Sequence, residues 1–157
     1  MKKSKIILAV FIAAVMCLGT AGCSIRKTAL TQDEFRKAAE EEGMTVVSAD
    51  DLYSDGIFTA ASYATAKNGW RVLFLSVDSV ADAESYFDEL VRFLESKATG
   101  ISNWQKTNMI TWSSYSQNSG GNYSFVERVR DTILYIEPAP SDSCKAEIKA
   151  FLKKIGY

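Results

Sequence analysis

The sequence predicts an α+β domain, in which helices pack on one face of a mostly antiparallel sheet. Three observations lead to this prediction. Stretches with apolar helical faces and capping residues occur three times, strand-like runs bounded by turn residues lie between them, and one strand-and-helix pattern recurs along the chain. The elements follow in the order αβββ-αβββ-α, which points to an internal repeat.

The first helix is predicted from its capping residues. Thr31 is a favoured N-cap residue, and Glu34 follows three positions later, which is the spacing of a capping box. Leu30 and Phe35 flank this pair as a hydrophobic staple. A short strand over residues 44–47 is expected to follow the helix.

Two strands come next and are predicted to form a hairpin. Residues 58–66 and 70–77 are rich in β-branched and aromatic residues, and Asn68-Gly69 between them is a preferred hairpin turn. The run "VLFLSV" within residues 72–77 is the most apolar run after residue 22, so we expect it to be the central strand.

Two further helices are predicted from caps and apolar periodicity. One begins after Ser79 and ends near Thr99-Gly100, and the other begins after Ser141, beyond two prolines. Their apolar residues recur at helical spacing, which predicts one buried face on each helix. These faces consist of Ala83, Phe87, Leu90, Val91 and Leu94 in the first and of Ile148, Phe151, Leu152 and Ile155 in the second.

The region between these helices is predicted to hold a loop and three strands. The loop contains Trp104, and the strands cover residues 108–116, 122–130 and 131–137, with a hairpin turn at "QNSGG". A shift of 61 residues places the strand 72–75 on 133–136 and carries the second helix's apolar face onto that of the third helix. The recurrence supports either a duplication or a shared architecture.

The first 22 residues have the pattern of a secretory signal peptide. Lys2, Lys3 and Lys5 form a basic start, about 13 apolar residues follow over 6–18, and small residues close the segment. A membrane-spanning helix needs about 20 apolar residues, so this run is short for a permanent anchor. The pattern therefore predicts export from the cytoplasm.

The residues before Cys23 add a lipid anchor to this prediction. The sequence "TAGC", residues 20–23, resembles the lipobox of bacterial lipoproteins, although Thr20 stands where that family favours Leu. The resemblance implies that Cys23 receives diacylglycerol, that cleavage precedes it, and that fatty acyl chains such as palmitate hold the protein on the cell membrane, outside the cytoplasm. Cleavage after Ala21 by an ordinary signal peptidase and an uncleaved anchor are the alternatives.

The expected organisation is thus a signal peptide at 1–22, a lipid attachment and short tether at 23–30, and one domain at 31–157. Seven tether residues reach roughly 23 Å, which keeps the domain near the membrane. The signal carries three of the 18 lysines and arginines, so 15 remain against 19 acids, a net charge of −4. This charge argues against a nucleic-acid partner.

The composition limits the chemistry that the domain can perform. The chain has no histidine, which removes the commonest general base and metal ligand. Cys144 lies on the apolar face of the last helix and is expected to be buried. The loop at 51–56 resembles half a calcium loop, but Tyr53 and Ser62 stand where ligands are required, so a solvated turn is expected. No catalytic residue, metal or cofactor is predicted.

Residues 103–125 are the candidate binding surface, because they combine aromatic side chains with Ser, Asn and Gln. Aromatic rings edged by amides and hydroxyls suit sugars, peptides or partner proteins. The same residue types also suit an ordinary hairpin, in which Trp112 would be a core residue. The residues of this predicted surface are Trp104, Trp112, Tyr115 and Tyr123.

Three functions are compatible with these observations. The first is an exported, membrane-anchored lipoprotein of the cell envelope whose domain binds a protein or small molecule without catalysis. The second is a hydrolase that uses carboxylates and hydroxyls, which would require acids with raised pKa in an apolar pocket. The third is a structural or assembly role beside a membrane complex. The mature domain is similar in layout to small uncharacterised lipoproteins, which implies no mechanism.

Overall fold

The computed structural model describes residues 27–54 and 56–157. The predicted signal peptide and Cys23 lie outside the described residues. Three α-helices lie within these described residues: α1 Gln32–Glu41, α2 Val80–Lys97 and α3 Ser141–Lys154. A short 3₁₀ helix covers Asp50–Tyr53. The strands are β1 Thr45–Ser48, β2 Phe58–Thr65, β3 Arg71–Val77, β4 Ile101–Asn108, β5 Trp112–Ser119, β6 Asn122–Val129 and β7 Thr132–Pro140.

The strands form one seven-stranded sheet in the order β1-β2-β3-β7-β6-β5-β4. Every neighbouring pair is antiparallel, which confirms the predicted α+β class with a mostly antiparallel sheet. The apolar runs of β3 and β7 pair at the centre, with Leu73 opposite Tyr135. The two strands with the longest apolar runs are therefore the ones that lie in the middle of the sheet.

Strand β4 corrects the prediction of a loop around Trp104. The segment Ile101–Asn108 pairs with β5 along its length, with Gln105 opposite Ser116, so the order is αβββ-αββββ-α. The segment is an edge strand and is mostly polar, which is why the alternation that identifies half-buried strands is absent from it. The strand predicted over 108–116 begins later, at Trp112.

The helices lie on both faces of the sheet, which corrects the expectation that they share one face. Val72 and Phe74 of β3 lie in a core with α1 and α3, whereas Leu73 and Leu75 lie in a second core with α2. Successive side chains of a strand point to opposite faces, so a strand that is apolar at every position requires cover on both sides. The uninterrupted apolar run "VLFL", residues 72–75, is the sequence signal of this arrangement.

The predicted internal repeat corresponds to a similarity between two units, each of which is a central strand with the helix that follows it. Leu73 faces α2, the helix that follows β3, and Leu134, which is 61 residues later, faces α3, the helix that follows β7. Each central strand thus presents the same positions to the helix after it. The two helices nevertheless pack on opposite faces, and the second half has an additional strand, so the halves do not superpose as a simple repeat.

Helix α1 has the predicted start. The Thr31 hydroxyl accepts a hydrogen bond from the Glu34 backbone N–H at 3.2 Å, and the Glu34 carboxylate accepts one from the Thr31 N–H at 2.8 Å. Phe35 follows and stacks on Phe74 with ring centroids 5.2 Å apart. None of the helices in the described part of the chain is long and apolar enough to cross a membrane.

Candidate functional site

The main candidate site is a groove on the sheet face that carries α1 and α3. Helix α3 packs mainly over β6 and β7, and α1 packs over β1, β2 and β3, so these helices leave most of the β4–β5 part of this face uncovered. The groove, about 360 Å³ in volume, lies between α3 and these strands, and we call it the α3 groove. It is lined by Lys27, Gln105, Thr107, Trp112, Ser114, Ser116, Tyr123, Phe125, Glu127, Lys149, Leu152 and Tyr157.

Strand alternation explains which side chains enter the groove. On β5, Trp112, Ser114 and Ser116 point into it, whereas the positions between them are buried on the α2 side. The partners of these residues on β6, such as Glu127 opposite Ser114, lie on the same face. The groove therefore has a floor of hydroxyl groups between aromatic walls.

Three of the four predicted surface residues lie at or beside this groove. Trp112 is half-buried in its wall, and Tyr123 is buried beneath Lys145, whose ammonium lies 5.2 Å from the ring centroid. Trp104 is 62% exposed on the edge strand β4. It lines a smaller depression that shares Gln105, Ser116, Tyr123 and Lys149 with the α3 groove.

Tyr115 does not belong to the predicted surface. It is 1% exposed and lies in the core beneath α2, on the opposite face of the sheet from Trp112. Its hydroxyl donates to Gln117 Oε1 at 2.9 Å, and the Gln117 amide donates to the Leu94 carbonyl at 3.1 Å. Tyr115 and Trp112 are three residues apart in one strand, so the pleat separates them.

Glu127 is the chemically most unusual residue of the groove. Its side chain is 1% exposed, in the middle of strand β6. Burial raises the pKa of this carboxyl, and the neighbouring Lys27 ammonium lowers it in part. A buried carboxylate is costly unless it has a charged or hydrogen-bonding partner, and Lys27 supplies one.

The Lys27 ammonium is enclosed by Glu127 and two aromatic rings. Its Nζ contacts Glu127 Oε1, lies 4.8 Å from the centroid of the Trp112 ring and lies 5.9 Å from that of Tyr157. Ring faces attract cations through their negative quadrupole. Burial raises the pKa of Tyr157 to about 12, so this ring is neutral at physiological pH. We call Glu127, Trp112 and Tyr157 the ammonium cage.

A second buried charge lies directly behind the groove. Arg128 is 1% exposed on the α2 face, and its Nη2 lies 3.4 Å from a carboxylate oxygen of Glu84. The same guanidinium donates to Ser113 Oγ at 3.3 Å and to the carbonyl oxygens of Met109 and Arg130. These contacts tie α2 and the two neighbouring turns to β6, which is a structural role.

A larger cavity of about 480 Å³ lies on the α2 face, beside the C-terminal end of α2. Its polar wall includes Gln117, whose amide is already engaged with Leu94 and Tyr115. The α3 groove differs because it holds a buried carboxylate, a cation and aromatic rings together. We therefore take the smaller groove as the candidate site.

The groove lacks the arrangement that a two-carboxylate hydrolase requires. Glu127 has the raised pKa that such a mechanism needs, but it is the one carboxylate among the described residues that line the groove. Cys144 is buried in the core beneath α3, as its position in the apolar face predicted. Within residues 27–54 and 56–157, no group of three or more acids or cysteines is placed to hold a metal ion.

Sequence reasoning did not identify Lys27 and Glu127, which are 100 residues apart. The available signal was the pair Glu127-Arg128 inside the otherwise apolar segment "FVERV", because charges at such positions need partners. Comparisons with protein-family models, curated proteins and solved structures found no match for this chain.

Proposed function

We propose that this protein is a lipoprotein of the cell envelope, anchored through Cys23, and that it binds a small ligand in the α3 groove without catalysis. The observation that carries the binding part is the groove itself, which combines the ammonium cage with hydroxyl and amide side chains in about 360 Å³. Small-molecule sites have volumes of about 300–1,000 Å³ and combine apolar walls with a few oriented polar groups.

The position of the tether supports the membrane part of the proposal. Lys27 is four residues after Cys23, and four residues span at most about 14 Å. Lys27 lies over Trp112, whose carbonyl accepts a hydrogen bond from the Met109 N–H at the tip of the β4–β5 hairpin. The groove and this tip would therefore lie beside the membrane when Cys23 is acylated.

The hairpin tip has a composition that fits this orientation. Ile110 is 94% exposed and Met109 is 50% exposed. Exposed apolar side chains that neighbour each other mark interaction surfaces. In the proposed orientation these two side chains enter the interface between the lipid head groups and acyl chains.

Cell fractionation tests the lipid anchor. Cys23→Ser removes the acylated thiol, so we expect this variant to leave the membrane fraction while the wild type stays there. Retention of both proteins in the membrane fraction to the same extent would contradict the anchor. It would favour an uncleaved N-terminal segment in its place.

Native mass spectrometry tests the groove. Full-length protein in mild detergent is incubated with an envelope extract from the source cells, and retained small masses are recorded. Ser116 lines the groove, whereas Ser85 is exposed on α2 over the other face. We expect the wild type and Ser85→Trp to retain a ligand that Ser116→Trp loses. Retention of the same mass by Ser116→Trp, or of a protein by all three, would contradict the proposal.

A further inference from the structure

The inner end of the α3 groove is built around one ammonium group. The Glu127 side chain is 1% exposed and the Lys27 side chain is 15% exposed, so water has little access to either charge. The rings of Trp112 and Tyr157 lie within 6 Å of the same Nζ atom. A carboxylate combined with aromatic faces selects a cation, and the depth of the site requires that the cation end a slender stem.

We propose that the ammonium cage binds the primary ammonium group of a small alkylamine ligand, and that Lys27 occupies the cage as an internal substitute when this ligand is absent. The inference rests on the proposed function, because it names the ligand class of the same groove. It goes further in assigning a competitor to the site. The ligand and the tether then exclude each other.

Lys27 is placed so that it can leave the cage. Residues 27–30 precede Thr31, the N-cap residue of α1, and form no helix or strand. Segments outside regular structure open locally at a smaller free-energy cost than core elements. The other lysine of the groove, Lys149, lies within α3 and is fixed to that helix. Exchange at the cage therefore requires movement of the tether, and the sheet and α3 stay in place.

The groove beyond the cage can hold the rest of a ligand. Its volume of about 360 Å³ extends from Lys27 along β4 and β5. The walls there offer the Gln105 amide and the hydroxyl groups of Thr107, Ser114 and Ser116. Amides and hydroxyls both donate and accept hydrogen bonds, so they suit a polar ligand body attached to the alkylammonium stem.

The test uses n-butylammonium, because its four-carbon stem and ammonium group match the side chain of Lys27. Isothermal titration calorimetry compares full-length wild type with Lys27→Ala, both in mild detergent. We expect Lys27→Ala to bind the probe at least about tenfold more tightly, because the tethered competitor is gone. Sodium chloride at equal ionic strength and 1-butanol, which has the stem without the charge, are expected to give no measurable binding.

Glu127→Gln tests whether the negative charge of Glu127 is responsible for binding n-butylammonium. In the Lys27→Ala background this change keeps the shape of the cage but removes its negative charge, so we expect binding of n-butylammonium to weaken at least about tenfold. Equal binding by the single and double variants would overturn the inference. So would an affinity for n-butylammonium that does not change when Lys27 is removed.

Hydrogen exchange provides a measurement on the wild type, which keeps the inference testable if Lys27→Ala does not fold. Saturating n-butylammonium is expected to speed exchange of the amides of residues 27–30, because it displaces Lys27, while 1-butanol leaves them unchanged. Unchanged exchange would overturn the inference. If these tests fail while the envelope ligand is still lost in Ser116→Trp, the groove remains a ligand site and the alkylamine class alone is wrong.

Discussion

Glu127 and Arg128 are neighbours in strand β6 and are each 1% exposed, yet their charges lie on opposite faces of the sheet. Glu127 meets the Lys27 ammonium in the α3 groove, whereas the Arg128 guanidinium lies 3.4 Å from the Glu84 carboxylate on the α2 face. One β-strand thus supplies a groove with a negative charge and a helix with a positive one. The alternation of strand side chains produces this separation between consecutive residues.

The first prediction concerns the pH dependence of stability in Lys27→Met. Burial raises the pKa of Glu127 and Lys27 counteracts this, so the variant should raise the pKa further. A carboxyl with a raised folded-state pKa favours the fold below its unfolded pKa of about 4.3, and this contribution is lost as pH rises through the folded-state pKa. We therefore expect Lys27→Met to match the wild type near pH 4 and to lose about 3 kcal/mol by pH 7.

Urea unfolding between pH 4 and pH 8 measures this difference. The other titratable groups that face Glu127 in the groove are Lys149, Tyr123 and Tyr157. Burial raises the pKa of both tyrosines, so they stay neutral across this range. Lys149→Met is the matched control, and we expect it to change the unfolding free energy by less than about 0.5 kcal/mol. A loss for Lys27→Met that is equal at pH 4 and pH 7 would refute the assignment to Glu127.

The second prediction concerns the structural role of Arg128. Arg128→Met keeps most of the side-chain volume but leaves the Ser113 hydroxyl and two backbone carbonyl groups without this donor, so we expect the free energy of unfolding to fall by about 3 kcal/mol. Glu84 is 55% exposed, and Glu84→Gln should therefore cost less than about 1 kcal/mol. Thermal unfolding of both variants measures these two losses of stability. Equal losses would mean that the ion pair, and not the burial of Arg128, dominates.

The third prediction concerns the core beneath α1. Phe35 is fully buried and contacts both Phe74 and Phe151, with ring centroids 5.2 Å and 6.5 Å away. Phe35→Ala should destabilise the fold by about 3–5 kcal/mol, because it leaves a cavity between α1, α3 and the sheet. Phe93 is 48% exposed on α2, so Phe93→Ala should cost far less in the same denaturation experiment. Comparable losses would contradict the observed packing.

The fourth prediction concerns the orientation at the membrane. A nitroxide label at Ile110→Cys should be shielded from a polar relaxation agent and accessible to oxygen when the full-length protein is in lipid vesicles. The control is Phe93→Cys. Phe93 lies near the C-terminal end of α2 and is also substantially exposed, so a label there should remain accessible to the polar agent. If both labels behave alike, the hairpin tip does not enter the interface.

Some of the structural features behind these predictions can be recognised in the sequence, and others cannot. Caps and apolar periodicity located α1 and α2, and apolar periodicity located α3 and the central strands, because these signals reflect burial within a single element. The predicted cap of α3 was wrong, because Ser141 is the first residue of the helix and its N-cap is Pro140. Strand β4 was not predicted, because an exposed edge strand lacks the apolar alternation that identifies a strand. The face on which each helix packs depends on contacts between elements. The sequence prediction therefore placed all helices on one face, whereas they cover both.

The candidate site shows the same limit. The aromatic residues at 104, 112 and 123 were predictable from composition, but the pleat moved Tyr115 to the other face. The ammonium cage consists of Trp112, Glu127 and Tyr157, and only the folded chain brings them together around Lys27. A lysine that precedes the first helix has no local pattern that identifies its partner.

The chain offers a direct test of the groove, because its three tryptophans lie in three different environments. Trp112 lines the α3 groove, Trp104 is 62% exposed at the sheet edge, and Trp70 is 3% exposed in the core. Fluorine NMR of full-length protein labelled with 5-fluorotryptophan, assigned by single Trp→Phe variants and titrated with the envelope extract, reports all three together. The account predicts that the Trp112 resonance shifts most while that of Trp70 does not move. A spectrum in which Trp112 stays unchanged, or in which Trp104 alone shifts, would contradict ligand binding in the α3 groove.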